Sequence, residues 1–105
     1  MTMDQLPDLQ PDPEEVQSAE VALTDDVLVK VFALGPGASL SPHEHPDSTN
    51  VFHVVAGAPT VIRDDEEETV AAPGVVVNQR GAVHGLRNDA DAVAAVTATF
   101  APPPG

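Results

Sequence analysis

Turn-forming clusters interrupt this chain so often that few segments are long enough to make a helix. They stand at Asp25-Asp26, Gly35-Pro36-Gly37, Pro46-Asp47-Ser48, Gly57-Ala58-Pro59, Asp64-Asp65, Pro73-Gly74, Arg80-Gly81 and Asn88-Asp89. Glycine permits positive φ, proline presets φ and removes a backbone donor, and Asp or Asn bonds back to its own backbone, so each cluster marks a reversal. The segments between them are short and rich in valine, a residue that suits a pleated, half-buried surface. They read as strands at Glu20–Leu23, Val27–Leu34, Ser39–His45, Val51–Ala56, Thr60–Arg63, Glu67–Val70, Val75–Gln79, His84–Arg87 and Ala92–Phe100. The last has the alanines of a helix, but Val96, Thr97 and Thr99 favour a strand. Short strands at near-regular spacing predict an all-β domain of antiparallel sheets, a sandwich or a barrel.

A chain of 105 residues holds one such domain. Residues 1–19 form an acidic, proline-interrupted segment without apolar periodicity, expected as an N-terminal tail or an arm lying over a partner subunit. The barrel or sandwich is expected over 20–102. Residues 103–105 end the chain as a proline-rich tail that cannot join a sheet.

The formal charge is −13, with Lys30, Arg63, Arg80 and Arg87 the only basic side chains besides histidine. Binding nucleic acid or an anionic membrane needs Lys and Arg against phosphate, so both partner classes are excluded on composition. A strongly acidic surface acts as a solubility device and resembles that of proteins from salt-loving organisms, where screening suppresses self-repulsion. The start, "MTMDQLPDLQPDPEE", lacks the positive charge of a signal peptide, and no apolar run approaches the roughly 20 residues of a membrane span, so a cytoplasmic protein is expected. Cysteine is absent, which removes disulfides and thiolate metal sites together. Any metal here must be held by nitrogen and oxygen.

Two of the four histidines, His43 and His45, stand at i and i+2. In a strand both leave the same face while Glu44 leaves the other, a spacing that suits two ligands on one ion. Gly37 lies six residues before His43 and Gly57 seven after Asn50. The stretch "GASLSPHEHPDSTNVFHVVAG" thereby resembles the first motif of the cupin family, G-x5-H-x-H-x(3,4)-E-x6-G. Downstream, "QRGAVHGLRN" resembles the second, P-x-G-x-x-H-x3-N, through Gly81, His84 and Asn88, with Gln79 where proline is usual.

The resemblance implies a small jelly-roll barrel of two antiparallel sheets whose motif residues point into a cavity. It implies that His84 closes on His43 and His45 around one divalent metal ion: zinc, iron, manganese or nickel. The family's fourth ligand is usually a glutamate, and Asn50 occupies that position. Its amide oxygen is a weak, neutral ligand, and Asp47 in the adjoining turn is the other group within reach. Three neutral imidazoles leave the ion its full charge and open coordination positions, as a catalytic site requires. The implied function is binding of, or action on, a small anionic or oxygenated molecule. The enzymatic form is a metal-dependent oxygenase, isomerase or lyase, with His84 or a bound hydroxide as base. The alternative is a non-catalytic ligand-binding or sensor cupin with a degenerate metal site.

The remaining polar residues are assigned structural roles. His53 has the opposite parity to Asn50 and faces outward. Arg87 is expected in a surface ion pair, and "RDDEEE" (63–68) reads as a solvated hairpin tip without the glycine of a calcium loop. No nucleophile elbow and no phosphate-cradling glycine loop is present. Valines on both parities, as in Val75-Val76-Val77, predict an outer sheet face that is also covered, and hence a homodimer.

Overall fold

A computed structural model describes residues 6–104. The first five residues of the acidic arm and the last residue of the C-terminal tail lie outside the described residues. The chain forms β1 (Val16–Leu23), β2 (Leu28–Leu34), β3 (Ser39–His43), β4 (Thr49–Ala56), β5 (Thr60–Arg63), β6 (Glu66–Thr69), β7 (Gly74–Asn78), β8 (His84–Arg87) and β9 (Ala94–Ala101). No described helix is long and apolar enough to cross a membrane.

The strands make two antiparallel sheets, one of five in the order β1-β2-β9-β4-β7 and one of four in the order β3-β8-β5-β6. Most connections pass from one sheet to the other, which is the jelly-roll arrangement that the resemblance to the cupin motifs implies. The consequence for function lies in the second sheet, where β3 and β8 are neighbours although some forty residues separate them in sequence.

Alternation explains the core. In β9 the residues Ala94, Val96, Ala98 and Phe100 are buried and those between them are partly exposed, the period of two of a strand with one face inward. In β4 the inward set is Asn50, Phe52 and Val54. Phe52, Val54, Val96, Ala98 and Phe100 meet Leu34, Val61 and Leu86 in one cluster between the sheets. A fully buried phenylalanine contributes about 1.5–3 kcal/mol. Phe52, at 1% exposed, therefore anchors the interior that the small Val and Ala side chains fill out.

Four boundaries differ from the expectations above by more than one residue. The first strand starts at Val16 rather than Glu20, so residues 16–19 belong to the sheet and not to the arm. Nothing local announces this. Val16 and Ser18 become strand because Leu34 and Phe32 of β2 offer ladder partners, and Val16 packs on the core edge. The third strand ends at His43, not His45, and the fourth begins at Thr49 rather than Val51. The ninth begins at Ala94 rather than Ala92, because the turn after Asn88 runs further than its sequence suggests: the Asn88 side chain donates to the carbonyls of Leu34 and Ala92.

The arm lies against its own chain at residues 12–15. Glu14 N–H donates to Pro36 O and Gly35 N–H to Glu15 O, beside the buried Pro11. At the other end Pro102 accepts from the Ser48 hydroxyl at 2.6 Å, which ties the proline tail to the loop between β3 and β4.

Candidate metal centre

His43 is the last residue of β3 and His84 the first of β8, and the two are direct partners in the β3–β8 pairing. The register shifts between Leu40 and His43, over the stretch that faces Gly85. A Cβ at Gly85 would stand 2.8 Å from Leu40 O and 3.0 Å from Pro42 N, so only glycine lets β3 come this close. Two residues past His43, beyond the end of the strand, the chain places His45 beside the pair. The ring centroids are 4.7 Å apart for His43–His84, 4.9 Å for His43–His45 and 5.5 Å for His45–His84. One ring nitrogen from each of the three lies within 4.8 Å of the others.

Backbone carbonyls fix which nitrogen faces inward. His43 Nδ1–H donates to Ser41 O at 2.9 Å, and His84 Nδ1–H donates to Ala82 O at 3.1 Å. A carbonyl only accepts, so in both rings the proton sits on Nδ1 and the lone pair on Nε2. His84 is 2% exposed, and its Nε2 has no partner among the described residues.

The five-stranded sheet supplies the opposite wall. Phe52 lies 5.5 Å from His84 and Phe100 4.9 Å from His45, both edge to face. Burial holds the His84 imidazole below the ordinary histidine range, with His43 and His45 pushing the same way against the opposing bond to Ala82. His45 is lowered as well, by burial first and by His43 second. Both rings therefore stay neutral near pH 7, the form that binds metal.

This residue set fits a divalent ion. Three imidazoles converge, two have their tautomer set by second-layer carbonyls as metal-bound histidines usually do, and a buried lone pair is left without a proton to accept. An orphaned buried acceptor costs about 1–3 kcal/mol unless something occupies it.

The structure brings His43, His45 and His84 together and leaves other candidates apart. Glu44 and Asp47 are exposed and outside the group of three. Asn50 is fully buried on the inward face of β4, where its Oδ1 accepts from Asn78 Nδ2 at 2.8 Å. His53 is exposed. Arg87 pairs with Glu67 and Asp89, both at 2.9 Å. Residues 63–68 form the β5–β6 hairpin, turning through Asp64 at φ 54°. Asn78 was missed from the sequence. Its one signal is a polar residue at the inward parity of the Val75–Val77 run, which reads as a strand end until its partner Asn50 is known.

Two antiparallel sheets closed over three converging imidazoles define a jelly-roll domain with a histidine cluster capable of holding a metal. The chain belongs to the cupin family: residues 30–100 match the family's cupin domain. It is similar in structure to TT1209 from Thermus thermophilus, with 28% identity, 90% of each chain covered and a TM-score of 0.83. KdgF from Halomonas sp. is similar at 25% identity, with 91% of this chain and 86% of that one covered and a TM-score of 0.80. An uncharacterized conserved protein with a double-stranded beta-helix domain from Klebsiella pneumoniae subsp. pneumoniae shares the fold at 23% identity, covering 92% and 86% with a TM-score of 0.84. No curated protein matches the chain in sequence.

Proposed function

We propose that this protein is a metal-dependent cupin in which His43, His45 and His84 hold one divalent ion and a small oxygenated molecule binds at the ion's open positions. The observation that carries the reading is the buried, unpartnered Nε2 of His84 beside two further imidazoles. Bound there, a divalent ion supplies Lewis-acid polarisation of a carbonyl or hydroxyl oxygen. Zinc, iron and nickel all suit imidazole donors.

The protein's own groups do the rest. Ser41 O and Ala82 O hold two rings in the tautomer that presents Nε2. Phe52 and Phe100 close the wall behind them and keep water away. Beside His45 opens a depression of about 260 Å³ lined by Glu44, Pro46, Asp47, Ser48 and Pro104. Its two carboxylates repel anions at the entrance, which favours a neutral hydroxyl or carbonyl compound over an anionic one.

The same geometry revises the base. The proton of His84 Nδ1 is committed to Ala82, and its Nε2 is the proposed ligand atom, so neither nitrogen is free to take a proton. Every titratable group in the cluster is an imidazole that serves as a ligand. With His84 out of that role, a hydroxide at the ion's open position is the base an isomerase or lyase step would use, whereas oxygen chemistry or reversible ligand capture needs none.

Elemental analysis of untagged protein tests the reading. One divalent ion per chain, lost in both His43→Ala and His84→Ala, is expected. Full metal retention by either variant removes that residue from the ligand set. Oxygen uptake by the iron(II)-loaded protein with neutral diketones or hydroxyketones then separates the enzyme from the binder.

We also propose a homodimer formed through the outer face of β7. It is supported by Val75 and Val77, 63% and 49% exposed on an edge strand.

A further inference from the structure

Asn50 of β4 and Asn78 of β7 are direct cross-strand partners, and neither is exposed at all. Their single mutual bond, Asn78 Nδ2 to Asn50 Oδ1 at 2.8 Å, uses one end of each amide. The other ends, Asn50 Nδ2 and Asn78 Oδ1, have no partner among the described residues. Together with His84 Nε2 they are the buried side-chain atoms left unpaired there.

The pair lies on the wall that faces the imidazoles. Asn50 stands directly opposite Phe100 in the β4–β9 pairing, and Phe100 touches His45. Two residues along the same face, Phe52 touches His84.

A carboxamide is nearly symmetric in shape but offers an acceptor at one end and donors at the other. Turning one of the two amides alone would set nitrogen against nitrogen or oxygen against oxygen. Turning both restores the bond as Asn50 Nδ2 to Asn78 Oδ1 and exchanges what is left over. Asn50 then offers an oxygen, and Asn78 an N–H. Each arrangement leaves one donor and one acceptor unused, so the pair's own hydrogen bonding does not choose between them. The neighbouring centre does. An unprotonated imidazole lone pair favours a donor across from it, whereas a cation favours an oxygen.

We propose that Asn78 is a positioning residue: it makes the two amides turn together, and a divalent cation at the three histidines selects the arrangement in which Asn50 presents Oδ1. This rests on the metal reading above. The pair is a two-state element, and cation binding biases it by differential interaction with the two states.

Zinc titration of the full chain, followed by side-chain amide NMR and by calorimetry, tests it. In the wild-type protein the NH2 signals of Asn50 and Asn78 shift together as zinc saturates. Asn78→Asp offers acceptors only, so it locks Asn50 into donating Nδ2 and presenting Oδ1. Zinc then binds about 10-fold more tightly. If the added charge alone were responsible, Asn78→Asp would give the same gain without Asn50; the gain is instead expected to vanish when Asn50→Leu/Asn78→Asp is compared with Asn50→Leu. An equal gain in both backgrounds overturns the proposal, as do amide signals that stay in place at zinc saturation. In either of those cases the metal reading survives. A wild-type protein that takes up none of zinc, iron(II) and nickel overturns both.

Discussion

His43 and His84 face each other across the β3–β8 pairing, and each donates Nδ1–H to the carbonyl two residues before it, Ser41 and Ala82. The repetition means that one local backbone device, used on two distant strands, turns both lone pairs toward the same space. The device is completed at a cost, since the Nε2 of His84 is buried without a partner among the described residues.

That cost predicts a reversal of stability order. His84→Leu replaces the orphaned acceptor by an apolar side chain of similar size. Relief of the orphaned acceptor, about 1–3 kcal/mol, exceeds the roughly 1 kcal/mol lost with the Nδ1–H bond to Ala82, so in chelator the variant is expected to be more stable than the wild type by about 1 kcal/mol. With zinc at 100 times its dissociation constant the wild type gains about 2.7 kcal/mol and the variant gains nothing, so the order inverts. Thermal unfolding with and without zinc reads both. A variant that is the weaker protein in chelator would count against an uncompensated lone pair.

Two glycines with the same backbone twist are expected to respond differently to alanine. Gly57 and Gly81 have φ of +76° and +79°. At Gly81 a Cβ meets nothing within 4 Å, so Gly81→Ala costs only the left-handed backbone, about 1–2 kcal/mol. At Gly57 it would stand 2.8 Å from Val93 O and 2.9 Å from Ala94 Cα. Gly57→Ala therefore also displaces the start of β9 and costs about 3 kcal/mol or more. Urea unfolding distinguishes them, and equal costs would contradict the close approach.

Arg87 predicts an acid-sensitive increment of stability. Its bonds to Glu67 and Asp89 hold both carboxyls below their ordinary values. Carboxyl groups depressed in the folded state stabilise fully above their unfolded range, near pH 4, and lose that effect as the pH falls through the folded values. Arg87→Ala should lower the melting temperature at pH 7 and lower it much less near pH 2. Because all three side chains are partly exposed, 1 M salt should shrink the difference at neutral pH. An undiminished loss in acid would assign Arg87 a packing role instead.

For the homodimer, Val77→Glu sets a charge in the middle of the proposed contact. Light scattering in high salt should give a dimer for the wild type and a monomer for the variant. A monodisperse wild-type monomer would remove the proposal.

Much of the fold was legible because turn residues act locally. The reversals at Gly35-Pro36-Gly37 and Gly57-Ala58-Pro59 separate strands where they were expected, and Pro73-Gly74 marks the entry to β7, which takes in Gly74 itself. The strand state of β9 was legible despite its alanines, from Val96, Thr97 and Thr99. Residues 16–19 were not legible because their strand state comes from β2, a partner that local composition does not announce. In the site, His43 and His45 stood out by spacing and His84 by the resemblance to the second cupin motif, yet the carbonyls that set the tautomers of His43 and His84 belong to Ser41 and Ala82, whose side chains carry no trace of the task. Asn78 was hidden for a related reason, since its meaning depends on register with Asn50, a property of two strands together.

Gly85 carries a consequence for how such a centre is calibrated. Where it crosses β3, bare peptide rests on bare peptide, with no room for even a methyl group. The gap between the two facing imidazoles is thus gauged by main chain, as a calliper is by its jaws. Interior side chains such as Val61 or Leu86 are free to be exchanged for others of like volume without resetting it, whereas one carbon atom added at position 85 would open the jaws.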